Sequence, residues 1–381
     1  MSTLGAELNG SWQDRFHAAC NAVLANPAFR RFAAQFPLTR PIARRRARAV
    51  FDLVSGFVYS QVLLACVRLK VLEALAEGPT TVEALSLRIG LHLDGTQRLI
   101  DAAIALKLAS RCSDGRVRLG PVGAPIVGDG GISALVEHHA LFYADLRDPV
   151  TLLRDGPQDS ELARYWPYCA NRSGEGFEPE RIAAYSRLMT ASQTLIADQV
   201  LAAYSMRRHR RVLDVGGGEG TFLAAVGQRW PQLQLFLFDL PPVAERARQR
   251  LHAQGLASRA LALGGSFLSD PLPLGADLVT LIRVIHDHDD ESVLKLLRAV
   301  QAALPSDGRV LIAEPMSEAA GAETVGDAYF GFYLLAMGRG RPRTPARIGE
   351  LLAAAGFGSV RQIPTTMPLQ TSVIVADVVR D

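Results

Sequence analysis

Val212-Leu213-Asp214-Val215-Gly216-Gly217-Gly218-Glu219-Gly220-Thr221-Phe222 reads as a buried strand, a glycine turn and the start of a helix. Glycines let a backbone turn sharply and approach a ligand closely. From Arg210 onward, short β-rich runs alternate with helical ones: Arg211–Val215, Leu233–Phe238, Arg259–Leu263, Asp277–Ile282, Arg309–Ala313, Ser359–Gln362 and Ser372–Val379. Strands alternating with helices specify a mainly parallel sheet covered on both faces. The last two runs lie about nine residues apart, too close for a crossover helix, so that pair is expected to be antiparallel. Open α/β sheets bind ligands beyond the carboxyl ends of their strands, which puts the glycine turn in the cleft.

Two cofactors compete for this turn. A dinucleotide site wants G-x-G-x-x-G, and counting from Gly216 the third glycine falls on Thr221, so the match fails. Asp214, two residues before the first glycine, adds negative charge that disfavours a pyrophosphate and suits a ligand with a cationic amino group. S-adenosylmethionine carries an amino group, a sulfonium and a ribose, and no phosphate. It is preferred over NAD(P) and over a purely structural turn. Asp239, closing the next strand in Phe238-Asp239-Leu240-Pro241, can accept hydrogen bonds from two ribose hydroxyls.

The fourth strand leads into Arg283-Val284-Ile285-His286-Asp287-His288-Asp289-Asp290-Glu291. An H-x-H-x-D spacing can bind a metal, but that pattern wants a further His where Glu291 stands, and a distal His partner is lacking. No metal is therefore expected. Asp289 and Asp290 suit a helix N-cap and first turn. His286 is favoured as a general base that takes the acceptor's proton in methyl transfer. Glu314, closing the fifth strand in Leu311-Ile312-Ala313-Glu314-Pro315, is the carboxylate expected to orient its ring.

The chain has 381 residues, 41 Lys+Arg against 38 Asp+Glu, 49% apolar and 21% charged residues, which fits a globular protein of two or three domains. The charge is uneven. Eight Arg and no acid lie between Arg15 and Phe51, leaving 33 bases against 38 acids elsewhere. Such a basic stretch fits a membrane surface, nucleic acid or a solvated helix face. Cys20, Cys66, Cys112 and Cys169 form no C-x-x-C, which suits a reducing cytosol. The start has no apolar core of a secretory signal. Val50 to Val67 is interrupted by Asp52, Ser55, Gly56, Ser60 and Gln61, so no membrane span is expected.

A helix is expected over 12–35, a turn at 36–41 with two prolines, and one or two helices over 42–76. Thr81 can cap a helix over 82–89 that Gly90 closes, and Asp94 can cap one over 95–109. An Asp114-Gly115 hairpin follows. This is a winged-helix pattern. Residues 92–111 carry a net charge of only +1, so interaction or dimerisation is favoured over DNA reading, and no nucleic-acid partner is expected. Further helices are expected over 132–208, split by Pro149, Pro157 and 173–179. The stretch 328–337, with Tyr329, Phe330, Tyr333 and Met337, is apolar nearly all round, so it is either core or the lining of an apolar pocket.

LDVGGGEG (213–220), FDLP (238–241), VIHDHDDE (284–291) and VLIAEPM (310–316) resemble the motifs of class I O-methyltransferases of the plant caffeate/flavonoid type and their bacterial relatives. FPLTRPIARRRARAVFDLVSGFVYSQVL (36–63) and GDAYFGFYLLAMGRGRPRT (326–344) resemble the branch that methylates carotenoid hydroxyls in purple photosynthetic bacteria. The resemblance implies an α/β fold: a seven-stranded Rossmann-like S-adenosylmethionine domain over 209–381. An all-helical and winged-helix dimerisation domain would precede it over 1–130, with a helical connector over 131–208 that contributes to the substrate pocket. It implies a homodimer, and an acyclic carotenoid tertiary alcohol or a phenol as substrate. An enzyme on a carotenoid needs an apolar pocket and access to a bilayer, so a cytoplasmic protein peripheral to the membrane is expected.

Residue by residue, the resemblance puts Gly216 under the methionine part of the cofactor, with Gly218 and Arg283 also in that site, and Asp239 on the ribose. His286 would be the base and Glu314 its partner. Gln193 would touch the cofactor, and Tyr185 and Met189 the substrate. The chain departs from the family in three places. Gly-Asp-Met-Phe after the third strand becomes Gly264-Gly265-Ser266-Phe267, so Ser266 or a backbone N–H must replace the adenine-binding carboxylate beside Phe267. The Trp after His-Asp is His288, and a second catalytic-site Glu is replaced by Pro342. His286 is left with one expected carboxylate partner, so alignment of donor and acceptor must do most of the work.

Overall fold

The protein is described by a computed structural model over residues 12–128, 130–158, 160–165, 193–369 and 371–379. The chain divides into two compact units, Met1–Ala124 and Pro125–Asp381. The segment expected as a connector, 131–208, lies in the second.

In the first unit the single helix expected over 12–35 is two, α1 (Trp12–Ala25) and α2 (Pro27–Gln35). Asn26 makes the break. Its side-chain oxygen accepts from the N–H groups of Ala28 and Phe29, and Pro27 takes the first helical position, where a missing N–H costs little. Pro41, expected in a turn, likewise sits in the first turn of α3 (Arg40–Arg68). α4 (Val71–Ala76) follows a left-handed Lys70. In α5 (Val82–Ile89) Thr81 accepts from Ala84 N–H and Gly90 closes the helix, as expected. α6 (Leu93–Ala105) is shorter than expected and its cap differs. His92 Nδ1 accepts from Gly95 N–H at 3.0 Å, while Asp94 pairs with Arg98. The wing is β1 (Ala109–Arg111) paired antiparallel with β2 (Val117–Leu119), and Thr80 bridges to Val117. Leu72, Leu75, Leu85 and Ile100 fill the core.

Helix α3 runs through the polar residues that interrupt its apolar stretch. It is continuous through Asp52 to Gln61, and by length and composition it is apolar enough to cross a membrane. Ser, Gly, Gln and a single Asp lower apolarity without breaking a helix. Phe51, Leu53, Val54 and Phe57 are exposed on it.

The second unit begins with α7 (Ala124–Val127), α8 (Gly130–Asp145), α9 (Pro149–Asp155), α10 (Glu161–Tyr165) and α11 (193–203). The sheet comprises β3 (Arg211–Val215), β4 (Gln234–Asp239), β5 (Ala260–Gly264), β6 (Leu278–Ile282), β7 (Arg309–Glu314), β8 (Phe357–Ile363) and β9 (Ser372–Val378). All seven expected strands are present, in the order β5-β4-β3-β6-β7-β9-β8. β3 to β7 run parallel, and β9 is antiparallel to both β7 and β8.

Helices cover both faces. α12 (Thr221–Arg229), α13 (Pro241–Ala253) and α11 pack on one, through Phe222, Val226, Ala247 and Val200. α14 (Asp290–Ala303) and α16 (Pro345–Ala354) pack on the other, through Leu296, Val300, Ile348 and Leu352. β3 and β6 are neighbours although two strands separate them in sequence. The strand order therefore reverses there, and a crevice opens beyond their carboxyl ends. α15 (Gly331–Met337) follows a π-helical turn over Thr324–Phe330.

Candidate active site

Asp214 is fully buried. Thr280 Oγ1 donates to its Oδ1 at 2.7 Å, and its Oδ2 has no hydrogen-bond partner. Burial pushes its pKa up to about 7, against the hydrogen bond from Thr280 and with the neighbouring charge of Asp239. The glycine turn folds directly over it: a Cβ on Gly217 would stand 2.5 Å from Asp214 Oδ2. Gly216 and Gly218 both take left-handed backbone, and Gly216 N–H donates to the Phe238 carbonyl. Gly218 N–H donates to Asp239 Oδ2 and Leu240 N–H to Oδ1, at 2.8 and 2.7 Å. Burial pushes Asp239 up to about 6, and these two bonds act against it. Each Asp239 oxygen keeps a lone pair for a ribose hydroxyl.

Two carboxyls lifted toward neutrality, one fully buried with an orphan oxygen and one half-buried, fit a ligand that brings positive charge. An ammonium and a sulfonium supply it, whereas a pyrophosphate would deepen the penalty. The chemistry of this donor set fits S-adenosylmethionine.

The other cofactor candidates flank this pair. Arg283 ends β6 in left-handed backbone, unusual for a side chain of its size, and its N–H donates to the Ala313 carbonyl. Gln193, at the described start of α11, has a buried Oε1 without a partner. Ser266 and Phe267 follow β5. The Ser266 N–H donates to Asp270 Oδ2 at 2.7 Å. The Phe267 ring stands edge-on to His288, with centroids 5.3 Å apart. Tyr185 and Met189 lie outside the described residues.

His286 sits on a 3₁₀ turn, Ile285–Asp287, just beyond β6. Both its ring Nδ1 and its backbone N–H face Glu314 Oε2, at 3.3 and 3.1 Å. Its Nε2 lies 3.2 Å from Asp287 Oδ1, a partner for which the sequence reading had no role. Burial by itself lowers the pKa of this ring, but the charges of Asp287 and Glu314 outweigh burial and raise it. Glu314 is fully buried and its Oε1 has no partner. Among the described residues, no group of three or more His, Cys, Asp and Glu side chains could hold a metal ion.

The loop carrying His286 is clamped from a distant segment. The buried Arg343 donates to the carbonyls of Ile285 and His288, both at 2.6 Å, and to Asp290 Oδ1 at 2.8 Å. Arg341 N–H donates to the His286 carbonyl. Gly340, in left-handed backbone, passes so close that a Cβ on it would stand 2.0 Å from that carbonyl oxygen. Asp289 caps α14 by accepting from Ser292 N–H, as expected.

The aromatic stretch divides. Tyr333 and Met337 are buried core of a cluster with Phe142, Leu152 and Leu162. Phe330 turns toward the site, its ring 6.3 Å from that of His286, and Tyr329 stands edge-on to Phe330 at 4.9 Å. Sequence reading missed the contribution of α8. His138 Nε2 lies 2.6 Å from the Tyr333 hydroxyl, and burial pushes the His138 pKa down to about 4, which keeps it neutral. His138 and Tyr333 lie 195 positions apart, and no spacing rule signals their contact.

Known proteins share this architecture. Residues 143–358 match the O-methyltransferase domain model, and residues 51–124 match the O-methyltransferase dimerisation domain. The chain is 47% identical to demethylspheroidene O-methyltransferase of Cereibacter sphaeroides over 348 residues, 91% of each chain. It is 43% identical to the enzyme of the same name from Rhodobacter capsulatus, over 90% of this chain and 85% of that one. Among solved structures it is similar to CalO1, a methyltransferase of calicheamicin biosynthesis in its S-adenosylhomocysteine-bound form. The TM-score is 0.74 at 27% identity, covering 88% of this chain and 98% of that one. A dimerisation unit, a reversed parallel sheet and a paired-acid cofactor crevice thus meet in one chain, which belongs to the S-adenosylmethionine-dependent O-methyltransferase family.

Proposed function

We propose that this enzyme methylates a hydroxyl of a hydrophobic small molecule, the tertiary hydroxyl of an acyclic carotenoid, with His286 as base. The observation that carries the substrate is the 47% identity to a demethylspheroidene O-methyltransferase over nearly the whole of both chains. S-adenosylmethionine, when bound, supplies a methyl group activated by its sulfonium. Asp214, Gly216 and Gly218 hold its charged end and Asp239 its ribose, with Gln193 and Arg283 at the edge of that site. His286 Nδ1–H donates to Glu314, which leaves Nε2 as the acceptor of the substrate's proton. Asp287 and Glu314 flank the imidazolium as it forms. Phe330 and Tyr329 wall an apolar approach, and alignment of the two reactants provides most of the acceleration.

The decisive experiment incubates the protein with labelled S-adenosylmethionine and a panel of hydroxycarotenoids and phenols. Label is expected in the tertiary carotenoid alcohols. Transfer only to phenols would replace the substrate, and no transfer to any hydroxyl would remove the reading.

A carotenoid substrate is reached through a bilayer, and the same proposal places the enzyme peripherally on the cytoplasmic face of the membrane. The first unit supports this. Arg30, Arg31, Arg40, Arg44, Arg45, Arg46 and Arg48 stand beside the exposed Phe32, Phe36 and Leu38. Each Arg near an anionic surface is worth about 1 kcal/mol. Arg44/Arg45/Arg46→Glu is therefore expected to weaken co-sedimentation with phosphatidylglycerol vesicles by about 100-fold or more at low salt. Partitioning that does not respond would sink membrane docking through this arm.

A further inference from the structure

We propose that Asp270 is the residue that reads the amino group of the cofactor's adenine. The inference rests on the assignment of S-adenosylmethionine to the crevice and adds the specificity contact that the sequence lacks.

The sheet orders the ligand. Asp214 and Gly216 end β3, Asp239 ends the neighbouring β4, and Asp239 pairs in register with Gly264 at the end of β5. Adjacent strands lie about 4.8 Å apart, roughly the step from a ribose to its base. With the ribose on Asp239, the base falls at the end of β5, over residues 264–270. The amino group of adenine is a donor and needs an acceptor there.

Asp270, exposed on the turn that follows β5, stands at that spot. Its N–H donates to the Ser266 carbonyl at 2.7 Å, and its Oδ2 accepts from Ser266 N–H at the same distance. Two bonds to one residue fix the carboxylate against the end of β5. A Cβ placed on Gly265 would stand 3.2 Å from this Oδ2 and 2.5 Å from the Phe238 ring. The Phe238 ring thus leaves no room for a side chain at position 265, and the Asp270 carboxylate stands beside that space. Asp270 Oδ1 has no hydrogen bond among the described residues. Ser266 is a poorer candidate, since its N–H is taken and its Oγ accepts from Leu268 N–H. Phe267, edge-on to His288, gives a flat apolar neighbour for a purine.

Calorimetry on the full-length protein tests this with two ligands, S-adenosylhomocysteine and its analogue with hydrogen in place of the 6-amino group. The wild type is expected to prefer the amino ligand by about 10-fold or more, the usual worth of a hydrogen bond to a charged group. Asp270→Ala is expected to reduce that preference to about 1 by weakening only the amino ligand, the signature of a direct pair in a double-mutant cycle. Asp270→Asn keeps an acceptor for Ser266 N–H and is expected to retain a preference of about 3-fold. If both variants weaken the two ligands equally and keep the wild-type preference, Asp270 only shapes the turn and the proposal fails. Should Asp270→Ala not fold, an unchanged preference in Asp270→Asn is the overturning result. If the wild type binds neither ligand, the cofactor assignment itself falls, a result distinct from either of these.

Discussion

His286→Ala is expected to lower kcat by ~10²–10⁴ while leaving S-adenosylhomocysteine affinity almost unchanged. The size follows from what a positioned base contributes when the acceptor must shed a proton in the transition state. The selectivity follows from the layout of the crevice. The groups assigned to the cofactor's charged end and ribose lie at the ends of β3 and β4, whereas His286 stands beyond β6 with its ring nitrogens turned to Glu314 and Asp287. The pH profile gives an independent check. Burial depresses the pKa of His286, but Asp287 and Glu314 raise it overall above its ordinary 6.5. A base works unprotonated, so kcat is expected to rise with pH through a midpoint above 6.5 and to be lost on the acid side. Glu314→Gln removes one of the charges that raise it, so the midpoint should move toward lower pH. Unchanged turnover in His286→Ala, or an acid limb that survives in that variant, would remove His286 as the base.

Much of this layout is legible in the sequence because it is local. The glycine turn, the apolar strands and the acids that close β3, β4 and β7 all announce themselves within a few residues, since strand burial and turn chemistry are short-range constraints. Helix ends are less legible. His92 caps α6 because its ring nitrogen reaches Gly95 N–H, a role that competes poorly with Asp94 in any propensity ranking. Helix α3 falls where a long helix is expected, and the polar residues within its apolar run leave its continuity intact. The least legible features are non-local. His138 meets Tyr333, Arg343 meets Ile285, and Gly340 meets His286 only because the fold closes, and no spacing rule links those pairs. Asp270 is an intermediate case. It lies five residues beyond Gly265, and only the turn geometry brings its carboxylate back to the Ser266 N–H.

Arg343→Met tests whether the clamp or the surface charge around it holds the active-site loop. Three arginines converge on Asp290, and burial, which would raise this carboxyl, is outweighed by hydrogen bonds from Arg347 and Arg343 that hold its pKa down to about 2. Losing Arg343 therefore leaves Asp290 paired with Arg341 and Arg347. The carbonyls of Ile285 and His288 lose a donor on which they converge; Ile285 keeps the His288 N–H at 3.3 Å, whereas the His288 carbonyl loses its partner, and an orphaned buried acceptor costs about 1–3 kcal/mol. The variant is expected to lose about 2–5 kcal/mol in urea unfolding. The catalytic unit's Tm should fall by about 10 °C, at roughly 2–4 °C per kcal/mol for a domain of this size. Because the two carbonyls bracket His286, a displacement of its loop on the order of 1 Å is enough to lower kcat about 100-fold. Arg343→Lys is expected to recover less than half of the stability, since an ammonium cannot span two carbonyls and a carboxylate as a planar guanidinium does. Arg347→Met removes a bond to the same Asp290 from a side chain that is 46% exposed, and should cost far less than Arg343→Met. Equal losses for Arg343→Met and Arg347→Met would mean that Asp290, and not the two carbonyls beside His286, is what Arg343 serves.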